Sequence, residues 1–276
     1  MKLGFVVLIT VAAGAQTPNQ LAVTGSAIHQ YDGGPAVAAR SWFLAGEHVF
    51  VSFQVSGYKK GAEDQVKLRY TIDALDPAGR RLAPAHSGQV AVELAREDKN
   101  WTPKIRHGVQ IPTTAPSGAF LFHVEIKDEI AGATTSADIP FQVRGDEVES
   151  AEELTIARVH FYKTEEDARP LLSPLYRPGD PVWVRFNVAG FRLADKNRYA
   201  VDYGVTVTAQ DGKVFFQAPN AASFQDEGFY PARFVAGVFS LKLGADMTPG
   251  EYTVTLTVRD KNSNTSRESR HTFRVE

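Results

Sequence analysis

From Gly46 to Gly57 the chain alternates residue by residue, with Val49, Val51, Phe53 and Val55 on one face and Phe50, Ser52 and Gln54 on the other. A period of two, rich in β-branched and aromatic side chains, predicts a strand with one buried face. The pattern returns 133 positions later, from Gly179 to Gly190, with Val182, Val184, Phe186 and Val188 set against Trp183, Arg185 and Asn187. The register holds through a second predicted strand, where Leu68, Tyr70, Ile72 and Ala74 fall on Val201, Tyr203, Val205 and Val207. After a middle that differs in length it resumes at an offset of 132, with Phe120, Phe122, Val124 and Ile126 on Tyr252, Val254, Leu256 and Val258. Both copies of this strand run into an aspartate, Asp128 or Asp260, and a last short strand holds Phe141 and Val143, or Phe273 and Val275. No stretch keeps a helical period for three turns. The expectation is an all-β chain of two antiparallel β-sandwich domains produced by an internal duplication.

Two further echoes lie outside the main register. Ile28-His29-Gln30-Tyr31 lies on Val159-His160-Phe161-Tyr162, which pairs the two histidines at an offset of 131. Asp98, Trp101 and Pro103 lie on Asp226, Phe229 and Pro231 at an offset of 128. Between the copies, Asp146, Glu147, Glu149, Glu152 and Glu153 crowd a short polar run, as in a solvated linker. The expected organisation is a first domain over 16–145, a linker over 146–153 and a second domain over 154–276. Residues 1–15 read as a signal peptide: Lys2, an apolar run from Leu3 to Ala13, then Ala13-Gly14-Ala15 as a small-residue cleavage site. That run is far short of the ~20 residues that span a bilayer. An exported protein, periplasmic or extracellular, is expected.

The stretch Tyr176-Arg177-Pro178-Gly179-Asp180-Pro181-Val182, the Gly-aromatic loop at Gly190-Phe191 and the run Pro249-Gly250-Glu251-Tyr252 into TVTLTVRD resemble bacterial immunoglobulin-like and macroglobulin-type sandwich modules. The resemblance extends as pattern over most of both copies. The first copy departs from it with Leu44-Ala45-Gly46, and the thioester cysteine of true macroglobulins is absent. It implies immunoglobulin-like domains in a spacer or protein-binding role.

Composition narrows the chemistry. With no cysteine there is no disulfide framework, thiolate metal site or cysteine nucleophile. Charge is near balance, 30 basic against 32 acidic residues, and Lys59-Lys60 and Arg80-Arg81 are the only basic doublets, which argues against nucleic acid as a partner. The spacings of a nucleophile elbow, a zincin helix, a phosphate loop and a dinucleotide fingerprint are missing. The paired His29 and His160 lack further ligands in repeating positions, so a structural hydrogen bond is expected rather than a metal. Asp260-Lys261-Asn262-Ser263-Asn264 imitates the opening of a calcium loop but lacks its glycine and terminal glutamate, and reads as a hairpin turn. Asn100-Trp101-Thr102 and Asn264-Thr265-Ser266 fit a glycosylation pattern that carries no meaning in a bacterial protein. No cofactor is expected.

Aromatic residues off the core face are the remaining candidates. Phe50 and Trp183 alternate with buried valines and so point outward, either as a binding surface or beneath a loop or the neighbouring domain. Trp101, Phe229 and Tyr230 stand beside prolines in long loops, either as stacking platforms for sugar or peptide or as plugs over an open sandwich end. The leading expectation is a non-enzymatic interaction or structural module whose partner is a protein or a cell-envelope component. The alternatives are carbohydrate or peptide binding through the loop aromatics, and a periplasmic chaperone of the pilus-assembly kind. The chaperone would require basic side chains converging between the domains.

Overall fold

A computed structural model of the chain describes residues 20–276 apart from Ala39, Arg96, Lys99, Glu149 and Ser150. The expected signal segment, residues 1–15, lies outside the described residues. Strands β1 (Ala22–His29), β2 (Trp42–Leu44), β3 (His48–Ser56), β4 (Gln65–Leu75), β5 (His86–Glu93), β6 (Lys104–Gln110), β7 (Gly118–Asp128) and β8 (Thr134–Arg144) form two sheets, ordered β1-β3-β6 and β2-β8-β7-β4-β5. The sequence of elements then repeats as β9 (Thr155–Tyr162), β10 (Leu175–Tyr176), β11 (Pro181–Ala189), β12 (Tyr199–Ala209), β13 (Val214–Asp226), β14 (Phe234–Lys242), β15 (Gly250–Asp260) and β16 (Thr265–Val275). Their sheets are ordered β9-β11-β14 and β10-β16-β15-β12-β13. Among the described residues, only the short edge strands are parallel to their neighbours, β2 to β8 and β10 to β16. The all-β class expected from the alternating pattern is what the chain adopts.

The inner faces carry the repeated apolar residues. Val49, Val51, Phe53 and Val55 are fully buried and meet Leu68, Ile72, Phe122, Val124 and Ile126 in one core. Val182, Val184, Phe186 and Val188 meet Val201, Val205, Val254, Leu256 and Val258 in a second. Burying each such side chain contributes ~1.5–3 kcal/mol, so these two cores supply the main force for folding.

The loop after each central strand is built alike. Gly57 (φ +70) and Gly190 (φ +71) occupy the left-handed region, and a Cβ there would lie 2.1 Å from the Gln20 carbonyl oxygen or 2.0 Å from that of Glu153. Only glycine lets the incoming chain pass so close. The buried Asp128 then accepts from the Lys59 N–H at 2.7 Å and the Ile130 N–H at 2.9 Å, and Asp260 accepts from Arg192 at 2.8 Å and Asn262 at 2.9 Å. The strand-terminal aspartates therefore tie the loop to the hairpin that faces it, and Asp260 heads a turn in place of a calcium loop.

Strand pairing corrects both secondary echoes. His29 stands opposite Phe50, whereas Tyr162 stands opposite Trp183, so the counterpart of His29 is Tyr162. Both first strands carry the same register shift, between Thr24 and Ala27 and between Ala157 and His160, so the main offset of 133 runs through them from end to end. His29 is buried with Nε2 2.8 Å from Ser52 Oγ, while His160 is exposed. In the second copy the same two positions hold Tyr162 and Arg185, with the guanidinium 4.1 Å from the ring centre. Likewise Gln54 pairs with Lys104 and Asn187 with Ala236, an offset of 132 that sets Trp101 against Arg233, not Phe229.

Candidate functional site

The two sandwiches meet through a few side chains on turns. β4 ends at Leu75, and the turn from Asp76 to Arg81 lies at the joint, whereas the loop of Gly57 lies at the opposite end. Asp76 is 5% exposed, and its Oδ1 accepts from the Ala78 and Arg80 N–H groups, each at 2.8 Å. Its other oxygen accepts from the Tyr230 hydroxyl at 2.8 Å, across the joint. The Tyr230 ring packs against the first core. Burial, with the Asp76 carboxylate beside it, holds the phenol protonated well above the ordinary tyrosine range.

A second contact reinforces the first. Val148 is buried with Ala189 and Phe234, and Ala151 packs against them, so the acidic run between the sandwiches is anchored by its apolar residues and is only partly solvated. Arg233 donates from Nη2 to the Val148 carbonyl at 2.6 Å. The loop bearing Tyr230 is itself fixed, because Asn197 Nδ2 donates to the Gly228 carbonyl at 3.1 Å and to that of Phe229 at 2.7 Å. A cleft of about 530 Å³ opens beside the joint, with Leu82, Ile111, Thr113, Phe229, Tyr230 and Phe234 in its walls.

The five aromatic candidates do not converge. Phe50 is half-buried, stacked near His48 and lying over Gly108, where a Cβ would come within 2.4 Å of its ring. Trp183 is half-buried on the corresponding strand between Tyr162 and Ser240. Trp101 is half-buried at the end of the first sandwich away from the joint, and its carbonyl accepts from the Tyr58 hydroxyl. Phe229 is 51% exposed at the mouth of the cleft, and Tyr230 closes the joint. The loops of Trp101 and Phe229 occupy corresponding places in the two sandwiches, but one lies at a free end and the other against a neighbour.

Sequence reasoning missed Asp76. Its only signal was the turn Asp76-Pro77-Ala78-Gly79, whose aspartate has Ala209 as its counterpart in the second copy. Among the described residues, no cluster of three or more His, Asp or Glu is placed to hold a metal ion. No described helix is long and apolar enough to cross a membrane.

No family model matches the chain, and no curated protein matches its sequence. Similar solved structures include the C-terminal domain of the antigen I/II polypeptide BspA of Streptococcus agalactiae, at 11% identity and a TM-score of 0.32 over 92% of this chain and 100% of that one. The C-terminal domain of the antigen I/II-family protein AspA of Streptococcus pyogenes aligns at 11% identity and a TM-score of 0.33, over 94% of this chain and 100% of that one. A family 123 glycoside hydrolase from Clostridium perfringens aligns at 12% identity and a TM-score of 0.32, over 45% of this chain and 27% of that one. Likeness at this level assigns neither topology nor activity to the chain.

Proposed function

We propose that the chain is a non-enzymatic interaction or structural module of the cell envelope, built as two immunoglobulin-like sandwiches over 16–145 and 154–276 that move as one stiff body. The immunoglobulin-like reading is supported by the strand orders, in which a short edge strand leaves the three-stranded sheet to run parallel to the last strand of the other. The single observation that carries the functional reading is the Tyr230–Asp76 hydrogen bond at 2.8 Å, which places a side chain of one sandwich in the base of the other. A hydrogen bond to a buried carboxylate contributes about 1.5–3 kcal/mol and is lost if the sandwiches swing apart. Such a joint presents two surfaces at a fixed spacing, which suits a spacer or a two-point contact. Export to the periplasm or the cell surface, and a protein or envelope component as partner, complete the reading.

Photocrosslinking from Phe229 in the native envelope, alongside turnover assays of the purified protein on ester, peptide and glycoside substrates, tests it. Specific adducts without turnover are expected, and turnover abolished by a single substitution overturns the reading. A chaperone role requires basic side chains converging between the sandwiches, and Arg233 at the joint is instead engaged with the Val148 carbonyl at 2.6 Å. Capture of a client by the wild type but not by Arg80→Ala would favour it.

A further inference from the structure

Among the described residues other than glycine, only Arg158 holds a positive φ inside a strand, +54° in β9. The strand bulges there, because Ala157 pairs with Asn187 and His160 with Arg185, which sets two residues opposite one. The first copy bulges at the same place with Gly25, at φ +56. Glycine is the ordinary occupant of this left-handed region, which penalises any residue with a Cβ. A Cβ on Gly25 would lie 3.2 Å from Gln54 Oε1, whereas the second copy has the shorter Asn187 at the place of Gln54. The second sandwich therefore keeps a strained arginine, with space cleared beside it, where the first shows that glycine serves the fold. A bulge re-aims the side chain it carries, and strain retained in this way points to a function.

The bulge sets Arg158 at the edge of a pocket of about 440 Å³ on the outer face of the β9-β11-β14 sheet, within the range of about 300–1,000 Å³ of small-molecule sites. Ala157 and Ala189 form its floor, and Val148 and Ala151 of the segment between the sandwiches form its wall. Thr155 adds only its methyl group, since its hydroxyl donates to the Glu153 carbonyl at 2.8 Å. The two charged residues of the pocket, Glu147 and Arg158, are both exposed, and Arg158 makes no hydrogen bond or ion pair among the described residues. We infer that this pocket binds a small aliphatic monocarboxylate. Its carboxylate takes a forked pair of hydrogen bonds from the Arg158 guanidinium, while its hydrocarbon part lies on the two alanines against Val148. Glu147 repels a second negative charge, which disfavours phosphates and dicarboxylic acids. A sugar finds too few polar partners on this floor. The C-terminal residue of a peptide and a free aliphatic acid share the chemistry that the pocket selects.

Titration of the full chain with sodium octanoate and with N-acetyl-L-leucine, followed by the backbone amide NMR signals of Thr155, Ala157 and Ala189, tests the site. At least one of the acids is expected to shift these signals with a Kd of about 1 mM or tighter. The neutral amide of that acid is expected to bind about tenfold more weakly. The tighter of the two acids identifies the source, and either order supports the inference. Arg158→Gly, which restores the arrangement of the first copy, is expected to weaken binding about tenfold and to raise the urea midpoint as the strain is relieved. Unchanged near-UV circular dichroism shows that the variant is folded. Signals unmoved by either acid at about 20 mM overturn the inference, as does an Arg158→Gly variant that binds as the wild type does. A urea midpoint that falls in this variant also overturns it, because the arginine then serves the fold. The site uses neither Tyr230 nor Asp76, so its failure leaves the stiff two-sandwich reading standing.

Discussion

Replacing Tyr230 by Phe removes one oxygen and keeps the ring that packs on the first core. The hydroxyl donates to an Asp76 oxygen at 2.8 Å, and Asp76 is 5% exposed. Its other oxygen is engaged by two backbone N–H groups, so the carboxylate has little freedom to turn toward another donor. Losing a hydrogen bond to a buried charge costs about 1.5–3 kcal/mol, so Tyr230→Phe should destabilise the protein by about 2 kcal/mol. Asp76→Ala costs more, because the turn also loses its two bonds. A double-mutant cycle separates the effects: the pair should show a coupling of about 1–2 kcal/mol in urea unfolding. If Tyr230→Phe costs as much in the Asp76→Ala background as in the wild type, the two residues do not act across the joint and the reasoning fails.

Two histidines should give opposite pH dependences. The Asp138 hydrogen bond, 2.6 Å from His123 Nδ1, raises the His123 pKa above its ordinary value of 6.5. Its stabilisation is therefore complete below pH 6.5 and fades as pH rises through the folded value, so the urea midpoint of His123→Asn should approach that of the wild type in mild alkali. His107 is depressed below 6.5 by burial and then by His86, whose ring stacks on it at 4.3 Å. Its contribution holds above pH 6.5 and is lost on acidification, so His107→Gln should flatten the fall in midpoint between pH 6.5 and 5; an unchanged slope refutes this. Gly57→Ala and Gly190→Ala should each cost at least about 2 kcal/mol, because a left-handed backbone and a carbonyl clash combine; neutral urea midpoints would contradict the shared loop design. Asp128→Ala should cost about 3 kcal/mol by leaving buried N–H groups unpaired, and a loss below 0.5 kcal/mol in the same assay would contradict the role given to this aspartate.

Much of the fold is legible because burial writes a period of two into the inner strands. The central strands β3, β4, β7 and their copies alternate so regularly that the duplication can be read letter by letter. Edge strands lack that signal: β5 buries none of its residues fully, and β2 and β10 are three and two residues long. The misplaced pairing of His29 with His160 has another origin: the first strands keep the offset of 133, and the letters Ile28-His29 and Val159-His160 happen to match two positions away from it. At the joint, Tyr230 was a candidate by its type, but its partner lies 154 positions away in a turn that looks ordinary.

The stiffness of the two-sandwich body is the central claim, and residual dipolar couplings of the wild-type chain in a weakly aligning medium test it most directly. Couplings from both sandwiches should fit a single alignment tensor, and Tyr230→Ala should split that fit in two. Separate tensors already present in the wild type would contradict the account.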